Sequence, residues 1–187
     1  FNFSSSNINF LKYSGTLDPT DVGTLTNTFR YKNFSLSANI NYEFGAVTRL
    51  RSISNTDDYS AFPRELTQRW KKPGDEKHTD IPRLPTSYAF DQYGADNLIN
   101  AYYAYGASTA RIVSTDFIRL KEISMEYTVS KTLLRRTPLK NLAVKLQAQN
   151  LMLLYSDARL RGDDPEYMYS SSVTAPKKLI LTLRVGL

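Results

Sequence analysis

Residues Phe34 to Phe44, FSLSANINYEF, alternate without a break between two kinds of side chain. Phe34, Leu36, Ala38, Ile40, Tyr42 and Phe44 are apolar or aromatic, while Ser35, Ser37, Asn39, Asn41 and Glu43 are polar or charged. Successive Cβ atoms of a strand point to opposite sides, so a period of two puts these sets on opposite faces. Soluble strands usually span about 5–6 residues, whereas a tilted membrane-crossing strand needs about 9–11. Aromatic ends around a small aliphatic middle fit a lipid-facing stripe with interfacial rings. A long strand of a soluble β-sandwich fits the same run, and this run alone leaves both open.

Composition narrows the choice only a little. No stretch approaches the ~18 consecutive apolar residues of a spanning helix. A membrane barrel gives a weak hydropathy signal because half of each strand faces a polar lumen, so a mean hydropathy of −0.41 is compatible with one. The net charge is +6, from 24 Lys and Arg against 18 Asp and Glu. These cations form pairs (Lys71-Lys72, Arg135-Arg136, Lys177-Lys178) rather than the long block expected of a nucleic-acid partner. Contact with lipid phosphates explains them better if the chain is a barrel. With no cysteine, disulfides and thiolate metal sites are excluded. The opening residues FNFSSSNINF lack the charged and apolar regions of a signal peptide, so no export signal is expected within the chain as given.

Alternation recurs along the chain and predicts strands near 24–31, 34–44, 117–129, 141–150 and 178–187. A further short strand is expected near Ile8–Tyr13. In the later strands Leu142, Val144 and Leu146, then Leu179, Leu181, Leu183 and Val185, extend the lipid-facing set. Lys145, Gln147 and Gln149 extend the lumen-facing one. The connections alternate in length: Lys32-Asn33 and Ser130–Lys140 are short, whereas 46–116 and 151–177 are long. Helical pieces are expected within the first long connection, at Glu65–Lys71 and Asp96–Tyr105. Short turns at one end and long loops at the other are the habit of outer-membrane barrels, and a sandwich has no reason to keep it. The expected fold class is therefore all-β: an antiparallel transmembrane β-barrel, of which these are the last five or six strands. So few strands would leave unpaired edges in lipid, which makes the region 1–187 part of a larger barrel.

Chemistry-bearing clusters are sparse. His78 is the only histidine and sits in a Pro/Gly-rich stretch without a nucleophile partner, so no catalytic residue is assigned. Asp163, Asp164 and Glu166 lack the alternating spacing of a calcium loop, so no metal site and no cofactor are assigned. The long connection holds Trp70, Tyr88, Phe90, Tyr93, Tyr102, Tyr103 and Tyr105. Aromatic faces stack on sugars and serve protein interfaces, so Trp70, Tyr102, Tyr103 and Tyr105 are candidate partner or substrate residues. Packing of the loop on itself is the simpler reading.

Several segments, taken in order, resemble a known family. They are TNTFRYKNFSLSANINYEFG (Thr26–Gly45), RWKKPGDEKHTDIPR (Arg69–Arg83), DFIRLKEISMEYTVSK (Asp116–Lys131), LAVKLQAQNL (Leu142–Leu151), GDDPE (Gly162–Glu166) and the closing LTLRVGL. Together they resemble the C-terminal barrel region of SusC/RagA-type TonB-dependent outer-membrane transporters. The chain departs from the family at Leu187, where an aromatic residue is usual. The resemblance implies an outer-membrane location and active import of a bulky nutrient, an oligosaccharide (glycan) or a peptide, with no enzymatic step. It also implies a barrel of roughly 22 strands with a plugged lumen. The implied partners are a SusD-like lipoprotein lid, the protein's own plug domain, outer-membrane lipid, and TonB, reached through an N-terminal region that these residues do not contain. Two other readings are a soluble carbohydrate-binding β-sandwich and a porin-like barrel without TonB coupling.

Overall fold

The computed structural model describes residues 11–50, 64–168 and 174–187. Most of the structure is one five-stranded antiparallel sheet. Strands β1 (Asp21–Tyr31), β2 (Phe34–Phe44), β5 (Phe117–Thr128), β6 (Asn141–Ser156) and β7 (Lys178–Gly186) lie side by side in that order. A small two-stranded sheet pairs β3 (Val47–Arg49) with β4 (Ile112–Ser114) beyond the ends of β2 and β5. Helix α1 (Ser87–Tyr93) and helix α2 (Ala95–Ala107) fall between β3 and β4, and a single helical turn, α3 (Lys131–Leu134), follows β5.

Each junction has a local cause. β1 and β2 are joined by Lys32-Asn33, with Lys32 at φ 51 in the left-handed region that tight hairpins use. At the far end of β2, Gly45 takes φ 87 and its amide donates to Asp116 Oδ1 at 2.7 Å, tying the exit of β2 to the entry of β5. Helix α1 is capped by the Thr86 hydroxyl, which accepts from the Ala89 amide. The end of α2 is held by Arg49, whose Nη1 donates to the carbonyls of Gly106 and Ser108 at 3.1 and 2.9 Å, where a cation suits the helix C-terminus.

Three expectations are corrected. β1 begins at Asp21 rather than near 24. β6 runs on to Ser156, so its long connection starts at 157 rather than 151. Asn150 sits at φ 54, and the β5–β6 register shifts there; beyond it LMLLY is apolar throughout, so no alternation marks the continuing strand. The short strand expected near Ile8–Tyr13 is not formed at Leu11–Tyr13, and residues 8–10 lie outside the described set. The helical pieces are present as a short 3-10 turn over Arg64–Gln68 and as α2.

The closely packed interior is small and does not lie under the sheet's apolar face. Leu66 and Ile81 are buried together, with Leu84 and Tyr105 against them. Beside them Arg111 and Glu65 form a two-pronged ion pair, both bonds 2.7 Å, with side chains 2% and 8% exposed. The Arg111 guanidinium also lies 5.3 Å from the Tyr105 ring centre. Removing one partner of a buried pair costs about 3–5 kcal/mol, because the other charge stays desolvated. Glu65→Ala should therefore open this segment, seen as faster hydrogen exchange over residues 64–111. Glu65→Leu combined with Arg111→Met should exchange more slowly than either single change.

Candidate functional site

The two faces of the main sheet differ in chemistry from edge to edge. Cross-strand partners place Leu25, Phe29 and Tyr31 of β1 beside Ile40, Leu36 and Phe34 of β2. The row continues through Leu120, Met125 and Tyr127 of β5, then Val144, Leu146 and Ala148 of β6. It finishes on Leu183, Leu181 and Leu179 of β7, with Leu142 opposite Val185. Ala38 faces Ile123, and Tyr42 faces Ile118, within the same apolar face. Every residue in the expected lipid-facing set thus shares one face. Among the described residues nothing covers it at its edges, where Leu25, Phe29, Leu179 and Leu181 are 60–75% exposed.

Aromatic residues bound this face at both ends. Tyr31, Phe34 and Tyr127 form one row beside the hairpin turn. Tyr42, Phe44 and Tyr155 mark the other end, with the Tyr42 and Phe44 rings 5.5 Å apart. The Tyr42 ring lies across Gly23 of β1 so closely that a Cβ there would collide with it. Eight residues separate Phe34 from Tyr42, about 26 Å of strand, or near 20 Å at a tilt of ~40°.

The opposite face is polar and internally hydrogen-bonded. Thr24 donates to Asn41 at 3.3 Å, Asn39 donates to Thr26 at 2.8 Å, and Thr28 and Ser37 share a bond of 3.0 Å. Further across, Gln147 and Gln149 grip the two oxygens of Glu122 at 3.0 and 2.9 Å, and Arg184 reaches Glu126 at 3.4 Å. Ser35 and Lys145 both pair with Glu126, which puts them on this face, as Glu43 is by its pairing with Phe117. The whole expected lumen-facing set, Ser35, Ser37, Asn39, Asn41, Glu43, Lys145, Gln147 and Gln149, is therefore together.

An irregularity in β5 adds one more charge to this face. Asn39 pairs with Glu122 and Ile40 with Leu120, so Lys121 is the extra residue of a bulge. Apolar side chains stand at Ile118 and Leu120 before it and at Ile123, Met125 and Tyr127 after it, so the odd–even phase switches there. Lys121 reaches Glu166 at 3.3 Å, and Arg119 pairs with Asp164 and with Glu166, the latter at 3.1 Å. The connection after β6 is thereby strapped onto the polar face. Asp164 and Glu166 are thus both engaged by cations. Asp164 also caps the short turn Pro165–Tyr167 through the Glu166 amide.

A second clamp joins the same connection to the small sheet. Asp157 accepts from Arg159 Nη2 at 2.9 Å and from the Ser114 amide at 3.3 Å, while Arg159 donates to the Ile112 carbonyl at 3.1 Å. Bonding to Arg159 first, and to the Arg159 and Ser114 amides as well, holds the Asp157 carboxyl below the ordinary range.

Of the four aromatic residues expected at a partner or substrate surface, three are turned to internal tasks. The Trp70 indole N–H donates to the Lys72 carbonyl, and the Tyr102 hydroxyl donates to the Arg83 carbonyl. Tyr105 packs on Leu66 and Ile81 and receives a bond from Arg111. Tyr103 stays exposed, as do Tyr88 and Tyr93. His78 lines an open cleft of about 370 Å³ with Arg69, Lys71, Asp75 and Arg161. No helix among the described residues is long and apolar enough to cross a membrane, which says nothing about strands.

A depressed folded pKa stabilises above the unfolded value and loses that contribution as pH falls through the folded value. The Ser114 amide resonance should therefore titrate with a midpoint below the ordinary Asp range, and Asp157→Asn should abolish that titration. Arg119→Met should release the strap, seen as faster exchange at residues 162–167, while β1–β2 exchange stays unchanged.

No protein-family model matches the sequence, and no curated protein matches it. Solved structures do. The chain superposes on the RagAB peptide importer in its "open-open" state with a TM-score of 0.61 at 19% identity, covering 94% of this chain and 18% of that one. The RagAB peptide transporter gives a TM-score of 0.60 at 19% identity over 92% of this chain and 18% of that one. The importer in its "closed-closed" state gives 0.60 at 19% identity over 93% and 18%. The chain spans about a fifth of the length of these proteins. Over nearly all of its length the chain therefore shares the fold of a segment of these structures.

Proposed function

We propose that residues 1–187 form part of the barrel wall of an outer-membrane nutrient importer of the SusC/RagA type, a binding and transport element without enzymatic chemistry. One observation carries this reading: a sheet with a continuous apolar face that nothing among the described residues covers at its edges, and on the other side a hydrogen-bonded polar face strapped by a loop. In lipid the apolar face meets acyl chains, the two aromatic rows sit at the interfaces, and the polar face lines the lumen. The lipid-facing residues are Phe34, Leu36, Ala38, Ile40, Tyr42, Phe44, Leu142, Val144, Leu146, Leu179, Leu181, Leu183 and Val185.

The free edges support the same reading. β1 and β7 each pair on one side only within the sheet, and hydrocarbon offers no hydrogen bonds to the groups left over. Further strands of a larger barrel would pair them. A soluble β-sandwich would bury the apolar face beneath a second sheet, yet the only other sheet among the described residues is the short β3–β4 pair. The polar lumen then faces the protein's own plug. The cap built on α1, α2 and the straps stands at the long-loop end, where a SusD-like lipoprotein would seat as a lid. Energy would come through TonB by way of a region outside these residues. Between glycan and peptide we favour peptide, because the superposing structures are described as peptide importers. That choice rests on analogy of fold.

The reading is tested by charge placement. Leu36→Arg and Ile40→Arg, made in the full transporter chain, should prevent stable outer-membrane assembly, each costing about 2–4 kcal/mol near the midplane. Ser37→Arg should assemble normally, judged by heat-modifiable migration of the extracted protein. Equal tolerance of both faces would remove the assignment.

A further inference from the structure

The short-turn end of the sheet carries an unbalanced positive charge that the transport reading does not use. The β1–β2 turn and the β5–β6 connector are joined there: Asn33 Nδ2 donates to the Thr128 carbonyl at 2.7 Å, and the Thr128 amide donates to the Asn33 carbonyl at 2.9 Å. The connector's far end is tied to β7, with the Lys140 amide donating to Gly186 at 2.8 Å. Along this strip lie Arg30, Lys32, Lys131, Arg135, Arg136 and Lys140, all exposed, with no Asp or Glu in residues 30–33 or 129–140. None of the six forms an ion pair with a carboxylate among the described residues, whereas at the long-loop end Arg111, Arg119, Lys121 and Arg159 are all paired.

Apolar groups accompany the cations. Leu133 is 68% exposed at the middle of the connector, and Lys32 stands 5.3 Å over the ring of Tyr31, a member of the aromatic row. Exposed cations next to an apolar anchor and an aromatic row match the boundary between acyl chains and headgroups.

We infer that this strip binds the phosphate groups of anionic phospholipids in the leaflet that meets the short turns, with Lys131, Arg135, Arg136 and Lys140 as its principal contacts and Leu133 inserted beside them. Guanidinium groups suit phosphate because their planar donors meet two oxygens at once. The strip would fix the barrel's depth at that surface and give it a preference for anionic over zwitterionic lipid. The inference rests on the barrel reading.

The test uses the full transporter chain purified in detergent and exchanged into micelles holding equal phosphatidylglycerol and phosphatidylethanolamine, with bound lipid counted by native mass spectrometry. Wild type should retain phosphatidylglycerol preferentially, and high salt should erase that preference. Lys131→Gln/Arg135→Gln/Arg136→Gln/Lys140→Gln should lower the enrichment by about tenfold or more. Arg135→Lys with Arg136→Lys should keep most of it. A quadruple variant that holds phosphatidylglycerol like wild type overturns the inference. So does a wild type with no preference, a result that needs no variant to fold. Heat-modifiable migration in the same samples separates the two claims: an assembled barrel without lipid preference refutes this inference alone, whereas tolerance of Leu36→Arg refutes the barrel.

Discussion

Register is the constraint on which the rest of this structure depends. A strand carries side chains with a period of two, so a slip of one residue exchanges its two faces completely. Five strands share one register here, which gathers the apolar residues on one side and the amides, hydroxyls and charges on the other. The bulge at Lys121 keeps this arrangement through β5, where the odd–even phase changes between Leu120 and Ile123. Were the strand to run regularly through Lys121 without bulging, half of it would present its glutamates to the apolar face. With it, Lys121 and Glu122 both serve the polar face, one binding the strap and the other binding Gln147 and Gln149.

The two faces are stabilised by different means. Ser, Thr and Asn on the polar face satisfy one another across strands while Gln147 and Gln149 hold Glu122, and that network holds whatever fills the space beyond it. The apolar face gains nothing comparable among the described residues, and its large exposed area there calls for a covering medium. In the proposed barrel, lipid would meet that demand over the whole face at once. A protein partner would have to match five strands together with both aromatic rows.

Much of the sheet is legible in residue order because alternation records which side each residue faces. β2 reads from Phe34 to Phe44 with both ends marked, by Lys32-Asn33 and by Gly45. β6 reads only as far as Asn150, because beyond that residue the run is apolar at every position and period two leaves no trace. The cap was not legible at all in its contacts. Arg119 and Asp164 are 45 residues apart, and Arg111 and Glu65 are 46 apart, with no pattern linking either pair. The loop aromatics illustrate the same difficulty: Tyr105 and Tyr103 look alike in sequence, yet one is packed against Ile81 and the other is exposed. GDDPE stood out as a cluster of carboxylates, and only the fold shows that Asp164 and Glu166 meet cations on the polar face of the sheet.

The central claim is that neighbouring residues of β2 face lipid and lumen in turn. Trp70 is the only tryptophan in these residues, so replacing it with Phe clears the region for a single reporter, provided any tryptophan elsewhere in the chain is removed as well. Tryptophan placed at Ile40 and, separately, at Asn39 would then be compared in bilayers containing brominated lipid. The account predicts strong quenching at position 40 by the lipid and at position 39 by an aqueous quencher. Equal lipid quenching at both positions, or the reverse order, would contradict it.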